Sequence, residues 1–175
     1  MLKKSYWNFL LVMMAAILLV GCSSQEEELN EGVSAIHSAF ETEGKEVNQT
    51  LDEIDVYLPF YFEVVEEIDN NVILSNGSEQ FILFYNDQED RLSKQNYEIA
   101  LEQHEYIYNE VMETDTEFRY ILISQVDEKT VEVTIGIGGK KITSQMKPKQ
   151  IIDNAKAMTN IVRSVTLLPQ EDVTE

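Results

Sequence analysis

Residues 131–162 read VEVTIGIGGKKITSQMKPKQIIDNAKAMTNIV, and this stretch decides the fold class. Val131, Val133, Ile135 and Ile137 point one way while Glu132, Thr134 and Gly136 point the other, which is the period of a strand with one wet face. Gly138-Gly139 predicts a hairpin turn into a second strand over Lys141–Met146. Pro148 suits the first turn of a helix, and Ile151, Ala155, Met158, Val162 and Val165 recur at helical spacing until Pro169. A hairpin that feeds an amphipathic helix implies an antiparallel sheet with a helix laid on it.

Upstream, Phe118–Val126 reads as a further strand, joined to this hairpin through a turn at Asp127-Glu128-Lys129. The first half of the chain repeats the plan. Phe60–Val65 is dense in aromatic and β-branched residues behind Pro59, Asp69-Asn70-Asn71 reads as a turn, and Val72–Leu74 reads as a strand. Asn76-Gly77 carries the signature of a type I′ hairpin into Phe81–Tyr85. Asn86–Asp90 breaks the pattern, and Ser93 can cap a helix with the apolar line Tyr97, Leu101, Tyr108 and Val111, His104 interposed. Tyr106 falls off that line and is expected at the surface or against the leading helix.

That leading helix is read from Leu29, Val33, Ile36, Phe40, Val47, Leu51 and Ile54, which recur at spacings of three, four or seven, with Gly44 bending or dividing it. The expectation is therefore α+β: an antiparallel sheet of about six strands in two meanders with helices packed on it, in the order helix, β-β-β-α, β-β-β-α. Phe81–Tyr85 and Tyr120–Ile123 do not alternate, so these strands are expected to be covered on both sides, the leading helix forming the second cover. The order of elements is loosely similar to that of PsbP-type domains, a resemblance of layout alone.

Residues 1–22 have a different character. Met1–Asn8 holds two lysines and no acid, and Phe9–Val20 is a twelve-residue apolar run, a secretory-signal layout too short for a membrane-spanning helix of about 20 residues. Leu19-Val20-Gly21-Cys22 resembles the lipobox of bacterial lipoproteins. The resemblance implies cleavage between Gly21 and Cys22 and a diacylglyceryl group on Cys22, whose two chains hold where a single chain binds only reversibly. A lone cysteine elsewhere would more simply be a small core residue. Cys22 is the only cysteine, so no intramolecular disulfide can form. The expected division is a signal peptide over 1–21, the lipidated cysteine and an acidic tether over 22–28, a domain over 29–169 and a loose acidic tail over 170–175.

Loss of Lys3 and Lys4 with the signal leaves 11 basic against 32 acidic side chains, a formal charge of −21. A field of that sign contradicts nucleic-acid binding, which needs Lys and Arg on phosphates. It favours cationic peptides, a protein partner with a basic surface, or divalent ions; solubility is the simpler use of such charge.

Catalytic patterns fail one by one. His37 and His104 fall in different helices without HExxH spacing. Cys22 is committed to lipid, and no serine sits in a G-x-S-x-G elbow. Gly136–Lys140 lacks the glycine of a phosphate loop, with Thr134 in its place and Lys141 where Ser or Thr should follow. Counted from Asn86, the sixth and twelfth positions of a calcium loop are Arg91 and Tyr97 rather than Gly and Glu. No catalytic, metal or cofactor residue is assigned. The expected function is a lipid-anchored binding or accessory module on the outer face of a cell membrane, in a cell of the one-membrane type; the alternative is a carrier or sensor of a small apolar ligand held between sheet and helices.

Overall fold

The computed structural model describes residues 23–169. The signal segment, the Gly21/Cys22 processing site and the 170–175 tail lie outside these residues. The protein is α+β, with a seven-stranded antiparallel sheet, a three-stranded antiparallel sheet, and helices packed on them. In chain order the elements are α1 (Ser23–Glu41), β1 (Gln49–Thr50), β2 (Ile54–Val56), β3 (Glu63–Ile68), β4 (Asn71–Ser75), β5 (Gln80–Tyr85), α2 (Gln95–Gln103), β6 (Tyr108–Glu113), β7 (Phe118–Gln125), β8 (Val131–Ile137), β9 (Lys140–Met146), α3 (Pro148–Ser164) and β10 (Thr166–Leu167). The large sheet runs β3-β4-β5-β9-β8-β7-β6, so two meanders join through β5 and β9.

The expected alternation in Val131–Ile137 is present, and its consequences spread through the sheet. Val133 pairs with Ser144 and Ile123, and Ile135 with Ile142 and Ile121, so one face is largely apolar. On that face lie α1, α3 and the small sheet β1-β2-β10, enclosing a core that includes Ile36, Ile54, Phe81, Ile121, Ile142, Met158 and Ile161. Helix α3 is buried along most of its length. Its start is fixed by Pro148 and by Gln150, whose Oε1 accepts the Lys147 N–H at 2.9 Å.

Four expectations need correction. The leading helix does not continue past Gly44: α1 ends at Glu41, Val47 is exposed in the following loop, and Leu51 and Ile54 belong to a hairpin. Helical spacing continued by chance across a segment that Thr50, Ile54 and Val56 take into strands. Helix α2 stops at Gln103, so Tyr108 and Val111 lie on β6, a seventh strand in place of the expected continuation of the helix. Helix α1 is not the second cover: it packs along α3 on the same face, with Gly32 against the Ile151 side chain. The second cover is α2, and it reaches only part of the sheet. Tyr120–Ile123 is buried on both sides as expected, whereas Ile82 on β5 is 47% exposed.

Two local findings refine the rest. Ser23–Glu28, read as a tether, forms the first turns of α1. The Asn76-Gly77 hairpin is a four-residue loop rather than a two-residue type I′ turn: Ser75 pairs with Gln80, only Gly77 has positive φ, and Asn76 Oδ1 accepts the N–H groups of Ser78 and Glu79.

Candidate functional site

The second face of the sheet holds the site. Phe118, Tyr120 and Leu122 of β7 project there and pack under Tyr97 and Ala100 of α2 and Tyr106 beyond it. The Tyr97 ring stands 5.4 Å from Phe118 and 5.5 Å from Tyr120, and its hydroxyl donates to Asn109 Oδ1 at 3.0 Å. Helix α2 is only nine residues long, so β4, β5 and β9 emerge from beneath it. What remains is a groove of about 300 Å³ with Ile82, Phe84, Thr134, Lys141 and Thr143 on its floor and Ile99, His104 and Tyr106 on its wall. A second hollow of about 360 Å³ continues it through Ile82, Glu132 and Thr143 towards Gln145. Together these have the mixed character of a binding surface, apolar with a few converging polar groups.

Each polar group has an identifiable setting. Thr134 and Thr143 face each other across β8 and β9, and their hydroxyls bond at 2.9 Å. Glu132 Oε2 accepts from Gln145 Nε2 at 3.1 Å. The Lys141 ammonium lies 5.4 Å from the centroid of the Phe84 ring. Burial lowers its pKa, and the charges of Glu132 and Glu89 offset that only in part. Tyr106, off the helical line as noted, donates its hydroxyl to Ala100 O at 3.2 Å and packs beneath α2 instead of touching α1.

The structure separates the two histidines. His104 follows α2 and lines the groove; His37, on α1, donates from Nε2 to Glu110 Oε2 at 2.9 Å on the opposite face. Tyr108 also donates to Glu110. Burial raises the Glu110 carboxyl, but the Tyr108 and His37 bonds outweigh it and hold the group below its usual value. Burial and the bond to Glu110 push the Tyr108 phenol up to about 12. This trio ties α1 to the β6 edge. Among the described residues no three His, Cys, Asp or Glu side chains gather as a metal-binding group, and no helix is long and apolar enough to cross a membrane.

Two motifs tested in the sequence prove to be parts of one clasp. Gly138-Gly139 is the β8–β9 hairpin turn, with Gly138 at φ +55°. A Cβ on Gly138 would lie 2.1 Å from Asp90 O, because the Asn86–Arg91 loop closes over the turn. Asn86 N–H donates to Gly139 O, and Gly139 N–H donates to Asp90 O. Within that loop Glu89 accepts from Asn86 and Ser93, and Asp90 caps the Leu92 N–H.

Below the clasp, Glu117 accepts from both Arg91 and Arg119. Burial raises its carboxyl, yet those two hydrogen bonds and charges hold it below the usual value. Lys140, 8% exposed, donates to Val165 O at 2.6 Å, and Arg163 donates to the carbonyls of Ala39, Phe40 and Thr42 at the end of α1. Lys140 and Arg163 thus bind the chain's own helix ends, where unpaired carbonyls need donors, and Arg91 adds a 3.5 Å bond to Arg163 O.

The space between the sheet and α1/α3, where the alternative expectation placed an apolar ligand, is occupied by Ile36, Ile135, Ile142, Met158 and Ile161, each at 0% exposure. Fold and groove together define an acidic α+β protein with a half-open antiparallel sheet. No protein-family model matches the chain, and no curated protein matches it in sequence.

Proposed function

We propose that this chain is a lipid-anchored extracytoplasmic binding module that acts by contact, through the open half of its sheet, at the outer face of a cell membrane. Two features support the reading. The basic start, the apolar run Phe9–Val20 and the Leu19-Val20-Gly21-Cys22 quartet have the layout of a lipoprotein signal. The observation that carries the contact role is the groove, where Ile82 and Ile99 stay 47% and 41% exposed beside a half-buried lysine. The surrounding acidic surface suits a partner with a basic face.

The two parts are tested separately. Cys22→Ala should leave uncleaved precursor and abolish incorporation of labelled fatty acid; mature-sized protein from that variant would refute the anchor. A photo-crosslinking residue at Ile82 or Ile99 should yield a discrete partner adduct in cells. Equal capture from Lys129, on the far turn, would refute the open face as the contact surface.

A further inference from the structure

On the α3 side of the sheet, away from the groove, lies a separate hollow of about 340 Å³. One wall is helix α3, where Asp153, Lys156, Ala157 and Asn160 recur at i, i+3, i+4 and i+7 and so share one face. The opposite wall is the 57–61 loop, with Lys45 beside it. Phe62 N–H donates to Pro59 O at 2.9 Å, which puts Phe60 and Tyr61 at the tip of a tight turn. Asn48 braces the base of that turn, its side-chain amide bonding both the N–H and the carbonyl of Leu58.

Two observations point to a ligand. Phe60 is 98% exposed and stands edge-on to Tyr61 at 5.2 Å, so a braced turn holds an aromatic ring in water. Asn160, at the inner end of the hollow, is only 3% exposed, and its Oδ1 has no hydrogen-bond partner among the described residues. A buried acceptor left unpaired is costly, and a donor entering the hollow would relieve it.

The side chains around it narrow the chemistry. Lysine only donates, a carboxylate only accepts, and an amide does both. Neither Lys45 nor Lys156 has a carboxylate within 4 Å among the described residues. An anion would meet Asp153, and a cation would meet two lysines. Hydroxyl groups on an apolar frame suit the whole set, because each both donates and accepts. The negative face of an aromatic ring attracts the polarised C–H groups of a pyranose. Asp153 and Asn160 stand two helical turns apart, about 10 Å, a length that suits a disaccharide. A bilayer surface would engage Phe60 but leave Asn160 unpaired.

We propose that this hollow binds a neutral disaccharide, stacked on Phe60 and Tyr61, with its hydroxyls shared among Asn160, Asp153, Lys45 and Lys156. The site goes beyond the contact role of the open sheet face and depends neither on it nor on the lipid anchor.

The test is titration of the isotope-labelled full chain, in a zwitterionic detergent free of sugar, with cellobiose, maltose, lactose and N,N′-diacetylchitobiose, read by amide chemical shifts. At least one sugar should shift the amides of 57–61 and 153–160 at millimolar concentration. Phe60→Ala should weaken binding by about tenfold or more and leave the thermal midpoint unchanged, because the ring is almost wholly exposed. Asn160→Leu should abolish binding while the midpoint holds or rises, since an apolar group of similar size replaces an unpaired polar one. Should Asn160→Leu fail to fold, Phe60→Ala still decides. Four silent sugars overturn the proposal, as does binding that survives Phe60→Ala or shifts confined to other residues. In bicelles with spin-labelled phosphatidylcholine, broadening at Phe60 and Tyr61 with every sugar silent would make the turn a membrane wedge instead.

Discussion

Gly138 is the residue on which two halves of the chain meet. Its positive φ alone makes any side chain strained, and the Asp90 carbonyl leaves no room for one. Gly138→Ala should therefore destabilise the protein by about 3 kcal/mol or more, from strain plus displacement of the clasp. Gly77 has φ +89° with open space around it, so Gly77→Ala should cost only about 1 kcal/mol. Urea unfolding midpoints of the two variants make the comparison. Lys140 offers a test of opposite kind. Burial, then the charge of Arg91, lowers its pKa to about 8, with Glu117 opposing. From about pH 8 to the unfolded value near 10.5, the unfolded chain binds more protons than the folded one, so stability should rise with pH. Lys140→Met should flatten that rise, measured as the difference in urea midpoint between pH 7.5 and 9.5.

At the scale of elements, the Glu117 hub and helix α2 carry different loads. Glu117→Gln would leave Arg91 and Arg119 short of charge-assisted bonds beneath the ends of α1 and α3, at a cost of about 2–3 kcal/mol. The folded carboxyl titrates below the unfolded one, so this contribution is present above the unfolded pKa, near 4, and is lost as pH falls through the folded value. Acid-unfolding curves of the wild type and Glu117→Gln should accordingly converge at low pH. Tyr97→Ala should free α2 while the β5-β9-β8 ladder stays intact, because α2 is held on this face largely by aromatic contacts. Hydrogen exchange should show early loss of protection confined to 95–103 and β6.

Strands β8 and β6 show where sequence was legible. Strand β8 could be read because its two faces meet different surroundings, the groove and the Tyr120 ring on one and α3 on the other. Strand β6 could not: Tyr108, Glu110 and Met112 alternate with Asn109, Val111 and Glu113, but the inward face includes a glutamate whose reason, the His37 and Tyr108 bonds, lies 73 residues away in the case of His37. The groove was equally hidden. Ile82 sits in an unbroken apolar run, and only the shortness of α2 and the placement of α1 beside α3 reveal that no helix covers it. His104 and Tyr106 stand out in the sequence, but nothing local places Lys141 in the same groove.

Over the whole molecule, charge is the dominant fact. Lys140 and Arg163 are engaged at helix ends and Arg91 and Arg119 on Glu117, while acids outnumber bases 32 to 13. Compact folding brings these like charges together, so screening should help it. The thermal midpoint is expected to rise between about 10 and 150 mM NaCl, as the Debye length falls from roughly 30 to 8 Å. Scanning calorimetry at the two salt concentrations checks this, and an unchanged midpoint would mean the charges are already spaced beyond mutual influence.

Helix α1 begins at Ser23, the residue next to Cys22. Nineteen helical residues make a rod about 28 Å long, and its inner half is clamped against α3 through Gly32. On the proposal that Cys22 carries the lipid, the segment expected to be a slack leash is instead the first turns of this rod, so what leads into the domain is stiff from Ser23 onward.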